Sequence, residues 1–195
     1  MKILVELSEE MLGSQSNNKE VQAEFISSKG PDAKSIEEEV ASVGAEEVIE
    51  KGMTVFPKED GKPFLYDYQI KGFFKDACSA LSRCEGTKSS KVKAYKKIID
   101  GCIFPQPRKI FLKLPKGQKI GNCQRPLRGQ TAQGERICLA NSESVPEGTT
   151  FECEIKVLDK SFESLVTEWL DYGALKGLGQ WRNSGKGRFS YEVVE

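Results

Sequence analysis

An α+β fold is predicted for this chain, an antiparallel sheet with two helices covering one face. Three observations predict it. Several stretches alternate apolar and polar residues, two others carry an apolar stripe of helical period, and their order is strand–helix–strand–strand–helix–strand. At 195 residues the chain suits one domain, residues 1–195, with ample length for a core.

Lys2 to Leu7 reads as the first strand, with Ile3, Val5 and Leu7 on one face. Residues 14–52 are polar and acidic and form an insertion between this strand and the first helix. Within the insertion Ser35 and Glu38 stand at capping-box spacing, and Ile36, Val40 and Val43 give a short helical stripe ending near Gly52. Asp60-Gly61-Lys62-Pro63 is a turn signal. From Tyr68 to Arg83 the period is helical, with Ile70, Phe73, Phe74, Ala77 and Leu81 on one stripe. Residues 85–97 are basic and polar, a loop with a helical turn. Ile103-Phe104, interrupted by Pro105 and Pro107, leads into a second strand at Ile110 to Leu114. Residues 115–135 hold four glycines, two prolines and four cations, and read as a basic hairpin or loop. Arg136 to Ala140 and Thr150 to Leu158 are further strands. Phe162, Leu165, Val166, Trp169, Leu170 and Gly173 form the clearest helical stripe, and Arg188 to Val194 is the closing strand. This order is the ferredoxin-like, or RRM-like, pattern.

Lysine plus arginine and aspartate plus glutamate both number 29, yet the charge is segregated. Residues 1–60 carry 6 cations and 14 acids, residues 61–140 carry 17 and 5, and residues 141–195 carry 6 and 10. A basic middle on a neutral protein suits a polyanion-binding face, or else a segment folded against the acidic one. The chain contains no histidine, which excludes catalytic triads, Cys-His nucleophiles and His-ligated zinc. Its six cysteines include no C-x-x-C, so no zinc ribbon or dithiol site is expected and the thiols read as reduced. No apolar run approaches the ~20 residues that cross a bilayer, and Glu6 interrupts any signal-peptide core. A cytoplasmic protein without a membrane partner, metal or cofactor is expected.

The most informative stretch is Gly177-Leu178-Gly179-Gln180-Trp181-Arg182-Asn183-Ser184-Gly185-Lys186-Gly187-Arg188-Phe189. Its four glycines permit positive φ and can leave amides open to an anion, Arg182, Lys186 and Arg188 add cations, and Trp181 offers a stacking surface. Glycines also serve simply to end a helix and turn the chain.

The pattern G-x-G-x-x-R-x-x-G-x-G, between the last helix and last strand, resembles the glycine-rich loop of the RAMP superfamily, RNA-binding proteins of CRISPR effector complexes. Residues 63–75, from Pro63-Phe64-Leu65-Tyr66 through Lys71-Gly72-Phe73-Phe74-Lys75, resemble without a gap the P-Y-I-P-G-S-S-L-K-G-x-L-R stretch of the type III backbone subunits. Val145-Pro146-Glu147-Gly148-Thr149-Thr150-Phe151 is similar to the family's entry into the third strand. The family's Pro-Gly-Ser-Ser is Tyr66-Asp67-Tyr68-Gln69 here, where Asp67 repels an anion unless it caps the helix.

The resemblance implies a non-catalytic module for single-stranded guide RNA. Gly177, Gly179, Trp181, Arg182, Gly185, Lys186, Gly187 and Arg188 would form the grip. Lys71 and Lys75 would present cations, Gly72 would let the helix pack closely, and Arg125 and Arg128 of the basic hairpin would clamp the strand. The sheet face would supply shape, and other RAMP-like subunits or further copies head to tail would be partners. The type III aspartate that supports metal-dependent cleavage has only Asp32 and Asp60 as counterparts, neither in a recognisable motif, and Asp60 is explained by its turn. Two alternatives stay open: a protein-interaction or inhibitor module of the same fold, for example phage-encoded, and a metal-dependent endoribonuclease.

Overall fold

The computed structural model describes residues 1–17, 52–131 and 134–194. The expected acidic helix near 35–52 and Asp32 lie outside the described residues. In chain order the strands are β1 (Lys2–Leu7), β2 (Met11–Leu12), β3 (Gln15–Ser16), β4 (Thr54–Val55), β5 (Lys58–Glu59) and β6 (Lys62–Tyr66). Helices α1 (Asp67–Leu81) and α2 (Tyr95–Cys102) follow, then β7 (Ile103–Gln106), β8 (Lys109–Phe111), β9 (Gly121–Thr131), β10 (Gly134–Val145) and β11 (Thr150–Val157). Helix α3 (Glu163–Lys176) and β12 (Phe189–Val194) close the chain. The fold is mixed α+β and divides into two compact units, Met1–Met11 with Pro57–Lys119 and Val145–Glu195, and Leu12–Phe56 with Ile120–Ser144.

The first unit is built on a four-stranded sheet in the order β12-β1-β11-β7, antiparallel at every pairing. Ile3, Val5 and Leu7 of β1 and Phe151, Cys153 and Ile155 of β11 are buried on one face. Against them lie Ile70, Phe73, Phe74 and Ala77 of α1 and Leu165, Val166, Trp169 and Leu170 of α3, the stripes that define these helices in the sequence. Phe74 meets Trp169 at 5.5 Å between ring centroids and Phe73 meets Phe189 at 5.6 Å. Each large apolar side chain so buried contributes about 1.5–3 kcal/mol. Burial also pushes the Cys153 thiol up to about 12, so this cysteine is a small hydrophobe.

The structure corrects several expected elements. The strand laddered with β11 is Ile103–Gln106, and of the expected Ile110 to Leu114 strand only Lys113 reaches β11, as an isolated bridge to Thr150. Pro105 is tolerated because β7 is the sheet edge, where a missing N–H breaks no further ladder. Ile110 pairs instead with Leu65, within a three-stranded sheet β5-β6-β8 whose β6 strand carries no alternation in sequence. Tyr95–Cys102 is a helix where a loop is expected, anchored by the fully buried Ile99. Asp60 and Gly61 take φ of 49° and 74° in the turn between β5 and β6, a hairpin use of that turn signal.

In the second unit β9 and β10 form a long antiparallel hairpin from Gly121↔Ser144 to Thr131↔Gly134. Residues 136–140 therefore extend a strand of this hairpin and not the four-stranded sheet. β4 joins β10 at Thr54↔Ser142, where the two hydroxyls lie 2.6 Å apart, and β3 pairs with β4.

Two glycines of the helices have opposite surroundings. A Cβ on Gly173 would overlap the Phe189 ring, so this glycine sets how closely α3 approaches β12. Gly72 is exposed and a Cβ there would meet nothing within 4 Å, so close packing of α1 does not require it, contrary to the expectation above. Accordingly Gly72→Ala should stabilise the protein by about 0.5–1 kcal/mol through helix propensity. Gly173→Ala should destabilise it by about 1–3 kcal/mol through overpacking. Urea titrations of both variants check the opposite signs.

Candidate nucleic-acid interface

The glycine-rich loop leaves α3 at Gly177 and folds back onto itself. Gly177, Gly179, Gly185 and Gly187 take φ between 72° and 89°. A Cβ on Gly187 would overlap the carbonyl oxygen of Leu178, and one on Gly177 would come within 2.5 Å of that of Lys186. These glycines thus allow two strands of backbone to cross. The amide of Leu178 donates to Gly187 O at 2.8 Å and that of Gly187 to Glu10 O at 2.8 Å. Those of Gly177, Ser184 and Gly185 donate to Gly173, Trp181 and Arg182. Five amides of the segment are therefore paired within the chain.

Its cations are likewise engaged. Arg182 pairs with Asp76 of α1 at 2.8 Å, Lys186 with Glu10 at 2.6 Å, and Arg188 donates through Nε to Leu175 O at 3.0 Å. Trp181 holds a left-handed φ of 54° and is 39% exposed, a strained and half-open position for an indole.

The remaining residues singled out in the sequence occupy separate places. Lys75 pairs with Asp100 at 2.6 Å, while Lys71 donates to Asp100 O and sits 4.3 Å above the Phe104 ring. Arg125 is only 5% exposed and donates to Ser142 Oγ at 3.0 Å, inside the second unit. The Arg128 side chain lies outside the described residues. At the start of α1 the Tyr66 amide donates to Gln69 Oε1 at 2.7 Å, and Asp67 Oδ1 accepts from the Tyr68 amide at 2.8 Å. Gln69 thus caps the helix at Tyr66, while Asp67, its first residue, takes the next amide and pairs with Arg108 at 2.6 Å.

A basic strip outside the residues selected from sequence lies between α1 and β7. A short 3₁₀ turn, Ser89–Lys91, is docked on α3 by one carboxylate. Glu168 accepts from the amides of Lys88 at 2.6 Å and Ser89 at 2.9 Å and from Ser89 Oγ at 2.5 Å, and Trp169 Nε1 donates to the same hydroxyl. From this anchor Lys91, Lys93, Lys96 and Lys97 project into solvent, with Arg83 exposed at the end of α1. Among the described residues none of these five is ion-paired, whereas Lys75, Arg108, Lys109, Lys113, Arg182 and Lys186 all are. The signal was present in sequence as the Lys88–Lys97 run, but its freedom from acids is a tertiary fact.

The sheet face away from the helices is acidic. Glu6, Glu152, Glu154 and Glu192 alternate with the buried positions of their strands, against Lys2 and Lys156. Its carboxylates would repel phosphates, the opposite of the electrostatics expected of an RNA-supporting face.

Comparison with known proteins places no family model and no curated protein on this chain. In trace it is similar to a chain of the type III-B Cmr-beta structure bound to cognate target RNA, with 11% identity and a TM-score of 0.48 over 100% of this chain and 60% of that one. It is also similar to a chain of a type IV-B CRISPR complex, with 10% identity and a TM-score of 0.46 over 99% of this chain and 89% of that one. The chain spans about three fifths of the length of the first of these. No helix among the described residues is long and apolar enough to cross a membrane.

Although burial opposes ionisation of Glu168, the Ser89 hydroxyl, the two amides and the Lys88 charge outweigh it and hold this carboxyl below its ordinary range. A depressed carboxylate contributes stability above its unfolded pKa of about 4.3, and that contribution disappears as pH falls through the folded value. Glu168→Gln should therefore be less stable than the native protein at neutral pH, by about 1–2 kcal/mol. The difference should close below pH ~4. Chemical denaturation of both proteins across pH checks this.

Proposed function

We propose that this chain is a ferredoxin-like, RAMP-type subunit that binds single-stranded RNA without cutting it, as part of a CRISPR-type ribonucleoprotein. The sheet order β12-β1-β11-β7, with α1 reached from β1 and α3 joining β11 to β12, supports the ferredoxin-like reading. The motifs at residues 63–75 and 177–189 support the RAMP reading. The observation that carries RNA binding is the strip of Arg83, Lys91, Lys93, Lys96 and Lys97, exposed and without acid partners among the described residues. Exposed cations of one segment that hold no ion pair attract a phosphate backbone with no carboxylate to displace.

In the glycine-rich loop Arg182 and Lys186 take part by exchange, a phosphate replacing Asp76 or Glu10, beside the half-exposed Trp181. Both pairs are half-buried, so the exchange costs more than the ~0–1 kcal/mol of a fully exposed pair, and the phosphate must supply the difference. Asp60 is used by its hairpin turn, and no chemical step is assigned to it. Other RAMP-like subunits, or further copies head to tail, complete the particle. A second reading, a module docking a basic protein partner, is favoured by the acidic outer sheet face.

Anisotropy of a labelled ten-residue oligo(U) RNA across salt concentrations separates the two. For the native chain log K should fall steeply with log[salt]. Lys→Gln at 91, 93, 96 and 97 should flatten the slope by about 0.7 for each phosphate that is no longer neutralised. Absence of salt-dependent RNA binding by the native protein would sink the RNA reading in favour of protein docking.

A further inference from the structure

The ladder between β11 and β7 ends at Glu154↔Gln106, the chain bows out over residues 107–112, and it meets β11 again at Lys113↔Thr150. Between these two pairings a cleft of about 710 Å³ opens, lined by Glu152 and Glu154 on one side and Gln106, Arg108 and Asp67 on the other, with Lys2 and Phe104 also lining it. That size falls within the ~300–1,000 Å³ of small-ligand pockets.

Arg108 is unusually well fixed for an exposed cation. Its Nη1 is held by Asp67 at 2.6 Å, and its guanidinium lies 5.4 Å from the centroids of both Tyr66 and Tyr68, whose rings stack at 5.2 Å and 16°. Among the described residues no protein acceptor takes its Nε or Nη2. One wall of the cleft therefore offers a pre-set donor fork and the other offers carboxylate acceptors, of which Glu154 has no ion-pair partner among the described residues. Glu152 is held by Lys113.

We infer that this cleft binds one unstacked guanine base of an RNA strand, resting on the RNA-binding reading above. Guanine carries acceptors, O6 and N7, along one edge and donors, N1–H and the 2-amino group, along the next. Arg108 serves the acceptor edge, the commonest arginine–base pairing. Glu154 serves the donor edge. Phe104 and Pro105 provide an apolar wall. Uracil and cytosine lack the N7–O6 pair, and adenine presents an amino donor where Arg108 requires an acceptor.

The test compares oligo(U) RNA with the same RNA carrying one central guanine, and adds a titration with guanosine monophosphate. The guanine-containing strand should bind about tenfold more tightly, the range of one bidentate base contact. Arg108→Gln and, separately, Glu154→Gln should each bring that ratio close to one while leaving the oligo(U) salt slope unchanged. Two independent variants guard against a folding defect in either. Equal affinity for both strands, with salt-dependent binding retained, overturns the guanine site and leaves the RNA reading standing. Saturable binding of the mononucleotide, abolished in Arg108→Gln, with no RNA binding, overturns the RNA reading and with it the strand-borne guanine, leaving a cleft for the free nucleotide. No binding of either ligand overturns both.

Discussion

The carboxylate of Glu168 is the constraint on which the placement of the cationic strip depends. It accepts two successive backbone amides and a hydroxyl at the start of a 3₁₀ turn, the position a bound anion takes at a helix N-terminus. The Ser89 hydroxyl in turn satisfies the indole N–H of Trp169, whose ring is fully buried against Phe74. One hydrogen-bonded chain therefore runs from the aromatic core to the base of the lysine-rich segment. Together with the buried Ile99 of α2 it holds down a run of like charges whose self-repulsion would otherwise favour an extended loop. Unpaired, the buried indole donor would cost about 1–3 kcal/mol, which ties the strip's position to the integrity of the core.

The glycine-rich loop shows how one sequence pattern can answer two physical demands. Open amides for an anion and close crossing of backbones both require glycine, and the sequence does not separate them. Here Gly177 and Gly187 are required by the crossing, because a Cβ at either would strike backbone. Arg182 and Lys186 brace the loop against Asp76 and Glu10. Any phosphate arriving there meets competition in place of a vacancy. In the proposed RNA complex that would move most of the electrostatic attraction to the cations that hold no ion pair among the described residues, leaving the loop to contribute shape and the half-exposed Trp181.

What was legible in the sequence follows the range of the interactions involved. β1, β11, β12 and the two long helices are written in local periodicity, and their burial agrees with the stripes read from Ile3 to Leu7, Ile70 to Ala77 and Leu165 to Leu170. The β7 edge strand was hidden because Pro105 and Pro107 argue against a strand, and only edge position excuses them. β6 was hidden because Lys62 to Tyr66 carries no alternation, whereas a strand at β8 was legible at Ile110 and only its pairing with Leu65 was not. At the candidate interface the residue types were readable and their pairing was not. Lys75, Arg182 and Lys186 have the composition of an anion site, yet each faces a carboxylate contributed from elsewhere in the chain.

The charge segregation seen along the sequence reappears in space in a different form. The basic strip leads through α2 and β7 directly to Arg108, so Lys97 and the cleft are joined by a few residues of continuous regular structure. Beyond Arg108 the outer sheet face turns acidic at Glu152, Glu154 and Glu6. A polyanion drawn along the lysines thus meets a boundary where its phosphates are repelled and where donor-bearing base edges are attracted. Coulombic interactions at these exposures are weak one by one, near 1 kcal/mol at 4 Å in water. Their value is therefore directional: in the proposed complex, cations would gather the backbone on one side, carboxylates would exclude it on the other, and a base turned out from the strand would satisfy both at once.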